Sequence, residues 1–143
     1  MARHKFYRRH KRMKYPTVAA VLSLHEEAIK VGGGSGGLRG SGTSQLESAL
    51  DKPFQSVGGV DAYQGFFGKV AAIGFFIVNL HPFIDGNKRA ALQVMMYTLG
   101  INGHKCKPCT QFAVATVVLI ATDHLEIPGV AASLWLWCGL DPV

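Results

Sequence analysis

Apolar residues recur along most of this chain at helical spacing. Val18, Val21, Leu22 and Ile29 set one face of a helix over Thr17 to Val31, entered after Pro16. Ser44 to Leu50 reads as a short capped helix. Ala62 to Leu80 and Ala90 to Leu99 read as apolar helices on either side of a short polar interruption, with Val94, Met95, Met96 and Tyr97 as core positions. Pro108 to Thr122 and Ile127 to Leu140 are expected as buried helices, the second placing Trp135 and Trp137 over the core. Between these segments lie a polar, turn-rich stretch, Lys52 to Asp61, and Gly32 to Gly42, where seven glycines among eleven residues predict a flexible, solvated loop. Arg39 is expected there as a solvated charge. The glycine loop is not a Walker loop, because no Gly-Lys-Ser/Thr follows it.

Length narrows this to one domain: 143 residues at 48% hydrophobic composition suffice for a single core and are short for two. The uncharged stretches Val70 to Ile84, Pro108 to Thr122 and Ile127 to Leu140 run 14 to 15 residues, below the roughly 18 to 20 that cross a bilayer. No membrane span is therefore expected.

The formal net charge of +6 first suggests a nucleic-acid partner, but its location removes that reading. Arg3, Lys5, Arg8, Arg9, Lys11, Arg12 and Lys14 hold seven of the fifteen basic residues, so the chain from Tyr15 onward has eight basic and nine acidic residues, net −1. Residues 1–14 are expected to be a basic, disordered arm and 15–143 the folded domain. Cys106, Cys109 and Cys138 form an odd set that suits a reducing cytoplasm. The Cys106-x-x-Cys109 pair lacks a second pair and is read as plain loop rather than half a zinc site.

Candidate chemistry concentrates in His81-Pro82-Phe83-Ile84-Asp85-Gly86-Asn87-Lys88-Arg89, at the junction of two predicted helices. A helix start leaves backbone amides without partners, and with the positive end of the dipole these form an anion site. Asp85 suits the N-cap; the amides of Gly86 and Asn87 face outward, and Lys88 and Arg89 oppose the dipole unless an anion sits beside them. A polyphosphate satisfies these donors together. Asp85 suits a Mg2+ ion bridging phosphate oxygens, and His81 suits a base that takes a proton from a hydroxyl. Phe83 is expected to anchor the loop in the core. His25, His104 and His124 are expected at the surface or core edge, outside the chemistry.

The string resembles the signature of the Fic/Doc family, and more closely its Doc (death on curing) toxin branch. Supporting matches are Leu46-Glu47-Ser48-Ala49-Leu50 with Pro53, the glycines of Gly32 to Gly42, Pro16 to Ile29 with His25, and Asn102-Gly103, so the resemblance spans about Tyr15 to Trp137. It implies an all-α bundle of about six helices with a small flap or hairpin over Lys52 to Asp61, whose backbone pairs with an extended segment of the target. Carried over by position, His81, Asp85, Lys88 and Arg89 are catalytic, Gly86, Asn87, Lys88 and Arg89 cradle the phosphates, and Asp85 holds Mg2+.

Adenylylating members have Gly where this chain has Lys88 and a second Arg where it has Leu92, so the resemblance implies transfer of the ATP γ-phosphate to a Ser or Thr hydroxyl. The implied acceptor is elongation factor Tu, and the implied result is arrest of translation by a cytoplasmic toxin. Doc-like chains often have Ala and Thr where this one has Gly86 and Ala90, and Gly86 keeps AMP transfer open as an alternative. A catalytically decayed, antitoxin-binding module is a third reading, opposed by the intact motif. No glutamate lies in the family's self-inhibiting pattern; Thr43 to Glu47 comes nearest and is followed by Ser48. The implied brake is a small antitoxin acting in trans.

Overall fold

A computed structural model describes residues 6–139. The chain opens with an antiparallel hairpin, β1 (Tyr7–His10) and β2 (Met13–Pro16), and continues into α1 (Val18–Gly32) and α2 (Gly42–Asp51). A 3-10 turn (Lys52–Phe54) leads to a second hairpin, β3 (Ser56–Val57) and β4 (Val60–Asp61). Four helices complete the described chain: α3 (Gly65–Leu80), α4 (Asn87–Ile101), α5 (Thr110–Ala121) and α6 (Ile127–Trp137). The protein is thus mostly helical, as the periodicity predicts.

α3 forms the centre because it is apolar on nearly every face. Val70, Ala71, Ala72, Ile73 and Ile77 are fully buried, and α2, α4, α5 and α6 pack around it. Gly74 lets α4 approach closely: a Cβ there would collide with the Met95 side chain. α1 begins at Thr17, whose hydroxyl accepts the Ala20 N–H at 3.2 Å. On its inner face α1 packs against α4 and buries Val21 and His25.

Three expectations change. The basic arm was expected to be disordered over residues 1–14, but from Tyr7 onward it is a hairpin; residues 1–5 lie outside the described residues. Alternation explains the order. Met13 and Tyr15 point inward and are buried, while Arg8, Arg9, Lys11 and Arg12 face solvent. Burying such a side chain contributes about 2 kcal/mol. Asn102 secures the strand by accepting the Lys14 N–H at 2.9 Å and donating to the Lys14 carbonyl at 2.7 Å.

The cysteines also differ from expectation. Cys106 and Cys138, 32 residues apart, form a disulfide between the α4–α5 loop and the end of α6, leaving Cys109 as an exposed free thiol. Only the folded topology brings those two segments together, so spacing in the sequence carried no sign of it. Among the described residues, no helix is long and apolar enough to cross a membrane.

The glycine loop, finally, is largely exposed, as expected, but is tethered rather than free. Arg39 N–H donates to the Pro82 carbonyl at 2.9 Å, and Ile84 N–H donates to Gly37 at 3.1 Å, so the loop lies along the motif through a Leu38–Phe83 bridge.

Candidate active site

The motif lies between the end of α3 and the start of α4. His81 ends α3 in the left-handed conformation, φ 55°, donating its N–H to the Ile77 carbonyl at 3.2 Å. His is among the non-glycine residues that tolerate this region. The turn lifts the His81 side chain off the helix into solvent, and Arg39 donates to its carbonyl at 3.2 Å.

Phe83 is the anchor, 1% exposed. The Asn87 side chain accepts the Phe83 N–H at 2.9 Å and donates to the Phe83 carbonyl at 3.0 Å, pinning the loop by both backbone groups. Asn87 is itself buried with its side chain engaged in this clamp, and the residue also lines the cleft.

Asp85 is not the N-cap that the sequence suggests. Gly86 holds that place with φ 78°, and α4 starts at Asn87. A Cβ on Gly86 would lie 3.1 Å from Ile29 Cδ1 and 3.3 Å from His25 Nε2, so both conformation and space call for glycine. Asp85 precedes the cap and accepts the Gly86 N–H on Oδ1 at 2.8 Å and the Ser35 N–H on Oδ2 at 3.3 Å. These two donors, led by Gly86, hold its carboxyl below the ordinary range.

Arg89 is half-buried and reaches back to α1, donating to the Gly33 carbonyl at 2.8 Å and the Ala28 carbonyl at 3.2 Å. Lys88 on the same turn is exposed. His81, Asp85, Gly86, Asn87, Lys88 and Arg89 line one cleft of about 460 Å³, to which Val78, Ala121 and Asp123 also contribute. All the site residues expected from sequence therefore share one cavity. Asp123, at the end of α5, was not foreseen, since nothing in the sequence links it to the motif.

His25 was also missed. Although expected at a surface or core edge, it is 3% exposed, its Nε2 lies 2.7 Å from the Asp85 carbonyl, and its ring stacks on Phe83 at 3.7 Å between centroids. His104 stacks on Phe66, and His124 is exposed beside Thr122.

A larger, apolar groove of about 1220 Å³ lies between the start of α3 and α6, lined by Phe66, Phe67, Ile127 and Trp135 among others. It shares no lining residue with the cleft. Trp135 was expected to cover the core but instead borders this groove, 36% exposed, while Trp137 packs against the core. The hairpin of β3 and β4 turns at Gly58-Gly59, both with positive φ, and is tied to α3 by Lys69, which donates to Asp61 at 2.9 Å and to the Tyr63 carbonyl at 2.6 Å. None of residues 56–61 lines the cleft.

Comparison with known proteins follows the same outline. Residues 15–99 match the Fic/DOC family. Over 91 residues the chain is 38% identical to a protein of Mycolicibacterium smegmatis named Toxin Doc, an alignment that covers 62% of this chain and 70% of that one.

Proposed function

The chain belongs to the Fic/DOC family, and from that premise we propose that it is a Doc-type toxin, a protein kinase that passes the γ-phosphate of ATP to a Ser or Thr hydroxyl of a translation factor. The observation that carries the proposal is the single cleft shared by His81, Asp85, Lys88 and Arg89, with an exposed Lys88 where adenylylating relatives have glycine. Elongation factor Tu is the acceptor proposed from the resemblance, and arrest of translation in the cytoplasm the outcome.

In this mechanism His81 takes the proton of the acceptor hydroxyl as its oxygen bonds to the γ-phosphorus and the bond to the ADP oxygen breaks. Lys88, Arg89 and the amides at the start of α4 bind the phosphate oxygens. Asp85 suits Mg2+: its carboxyl is held ionised, Asp123 lines the same cleft, and one or two carboxylates with phosphate oxygens are the usual donor set. When bound, Mg2+ would neutralise charge on the phosphates. The hairpin of β3 and β4, with Val57 and Val60 exposed, supports docking of an extended acceptor segment by strand pairing. Residues from Tyr15 onward would form the catalytic domain, and a small antitoxin acting in trans is the proposed inhibitor.

The test is to incubate the purified protein with Mg2+, ATP and elongation factor Tu or a bacterial extract and weigh the products. A gain of about 80 Da on the acceptor supports phosphate transfer. A gain of about 329 Da means AMP transfer, the alternative that Gly86 keeps open. His81→Asn, which tolerates the same left-handed backbone, should abolish either gain while the protein stays folded. No gain from the wild-type protein would leave the decayed, antitoxin-binding reading.

A further inference from the structure

We propose that His25 is a positioning residue that locks the Asp85–Gly86 peptide, and through it orients the Asp85 carboxylate and the Gly86 amide in the cleft. Only its catalytic consequence rests on the phosphotransferase reading above.

A carbonyl oxygen can only accept. With His25 Nε2 at 2.7 Å from the Asp85 carbonyl, that nitrogen must carry the proton and donate. The ring has little freedom to do otherwise: it is 3% exposed and lies parallel to Phe83, 7° between planes, and Phe83 is pinned in turn by Asn87. A donor fixed to α1 is thus held against a loop 60 residues later in the chain.

The peptide it holds is one that needs holding. Gly86 sits at φ 78°, and glycine populates both signs of φ at similar cost, so the Asp85–Gly86 peptide has an accessible flip in which Asp85 ψ and Gly86 φ change together. The flip reverses both ends of the peptide dipole. The Asp85 carbonyl would turn away from His25, and the Gly86 N–H would leave Asp85 Oδ1, which it now meets at 2.8 Å. The site would lose the contact that fixes Oδ1 of the Asp85 carboxylate, leaving only the longer Ser35 contact on Oδ2. The His25 bond opposes this rotation, whereas a Cβ on Gly86 would crowd Ile29 Cδ1 at 3.1 Å and His25 Nε2 at 3.3 Å, besides straining the positive φ. Glycine and histidine are therefore complementary here: one makes the turn possible, the other selects its orientation.

A histidine that merely filled the core would need the stack on Phe83 but not the donor, which separates the two roles experimentally. On the full-length wild-type chain, long-range nitrogen NMR should find His25 protonated at Nε2; a ring protonated only at Nδ1 overturns the proposal without any variant. His25→Phe keeps an aromatic ring on Phe83 and removes the donor, whereas His25→Gln can place an amide N–H near the Nε2 position. Titrated with inorganic phosphate and followed by the Gly86 and Asn87 amide signals, His25→Phe should bind at least about fivefold more weakly, the loss of one hydrogen bond, with its Gly86 signal displaced before phosphate is added. His25→Gln should recover most of the affinity. In transfer assays His25→Phe should lower kcat by about tenfold or more and KM for the acceptor little.

If His25→Phe keeps the wild-type Gly86 signal and phosphate affinity within about twofold, the positioning role is wrong even where transfer is impaired. If the wild type transfers no phosphate yet shows the tautomer and the Gly86 displacement, the kinase proposal fails and the positioning role stands.

Discussion

Asn87 holds Phe83 by both of its backbone groups, accepting the N–H at 2.9 Å and donating to the carbonyl at 3.0 Å. That exchange closes the loop between His81 and α4 around one buried aromatic ring. Truncation at Asn87→Ala would leave two buried backbone groups without partners, each costing about 1–3 kcal/mol. A loss of about 2–6 kcal/mol is expected by denaturant unfolding, together with a large loss of the proposed transfer activity, because His81 and Asp85 lie on the released loop. A variant as stable as wild type would show that water or a loop shift replaces the clamp.

Much of this arrangement was legible in the chain. The helices follow from apolar periodicity, and the motif marks the cleft because its residues are consecutive and so must be neighbours. What was not legible depends on contacts distant in sequence. His25 meets Asp85 across 60 residues, Cys106 meets Cys138 across 32, and Asp123 reaches the cleft only because α5 packs beside α3 and α4. The first hairpin rests on two inward residues, Met13 and Tyr15, too short an alternation to outweigh seven cations. The shift of the cap from Asp85 to Gly86 turns on one backbone dihedral, φ 78°, that residue type does not specify.

Asp85 gives a prediction with a definite sign. The Gly86 and Ser35 amides hold its folded-state carboxyl below the ordinary 3.8, so whatever it contributes to stability is present above the unfolded value and is lost as pH falls through the lower, folded one. Because the group is exposed, that contribution is small, and the informative consequence is functional. Asp85 stays ionised from neutrality down to about pH 5, and the Mg2+ response of the protein should persist over that range. Carboxyl NMR should place its titration below that of a free aspartate. Asp85→Asn should abolish the Mg2+ response with little change in unfolding temperature; a wild-type response that disappears well above pH 5 would assign it to another group.

A substitution at Lys88 tests which of the two proposed transfer chemistries applies. It is exposed on the first turn of α4, where a cation opposes the dipole by about 0.3–1 kcal/mol, while glycine in a helix costs about 1 kcal/mol. The two terms nearly cancel, so Lys88→Gly should remain folded. If Lys88 sets the orientation of the nucleotide, this variant should lose most phosphate transfer and gain AMP transfer, read as a shift in product mass. Loss of phosphate transfer without any AMP product would make Lys88 a phosphate ligand that does not choose the orientation.

The disulfide makes the last prediction, on stability rather than chemistry. Cys106 follows α4 and packs partly against the core, and Cys138 ends α6, so their bond joins the loop beyond the active-site helix to the last helix of the described chain. A crosslink closing a loop of this length restricts the unfolded chain and stabilises by about 3.7 kcal/mol. In a domain of this size that corresponds to an unfolding temperature about 12 °C higher. Reductant should therefore lower the unfolding temperature by about that amount. The Cys106→Ser, Cys138→Ser double variant should show the same loss and no further response to reductant, and Cys109→Ser should behave as wild type. None of the three cysteines lines the cleft, so the reduced protein should keep its activity below the lowered transition. A transition unaffected by reductant would mean that the two sulfurs are not joined in solution, and a loss of activity that parallels reduction at low temperature would mean that the bond reaches the site through α4.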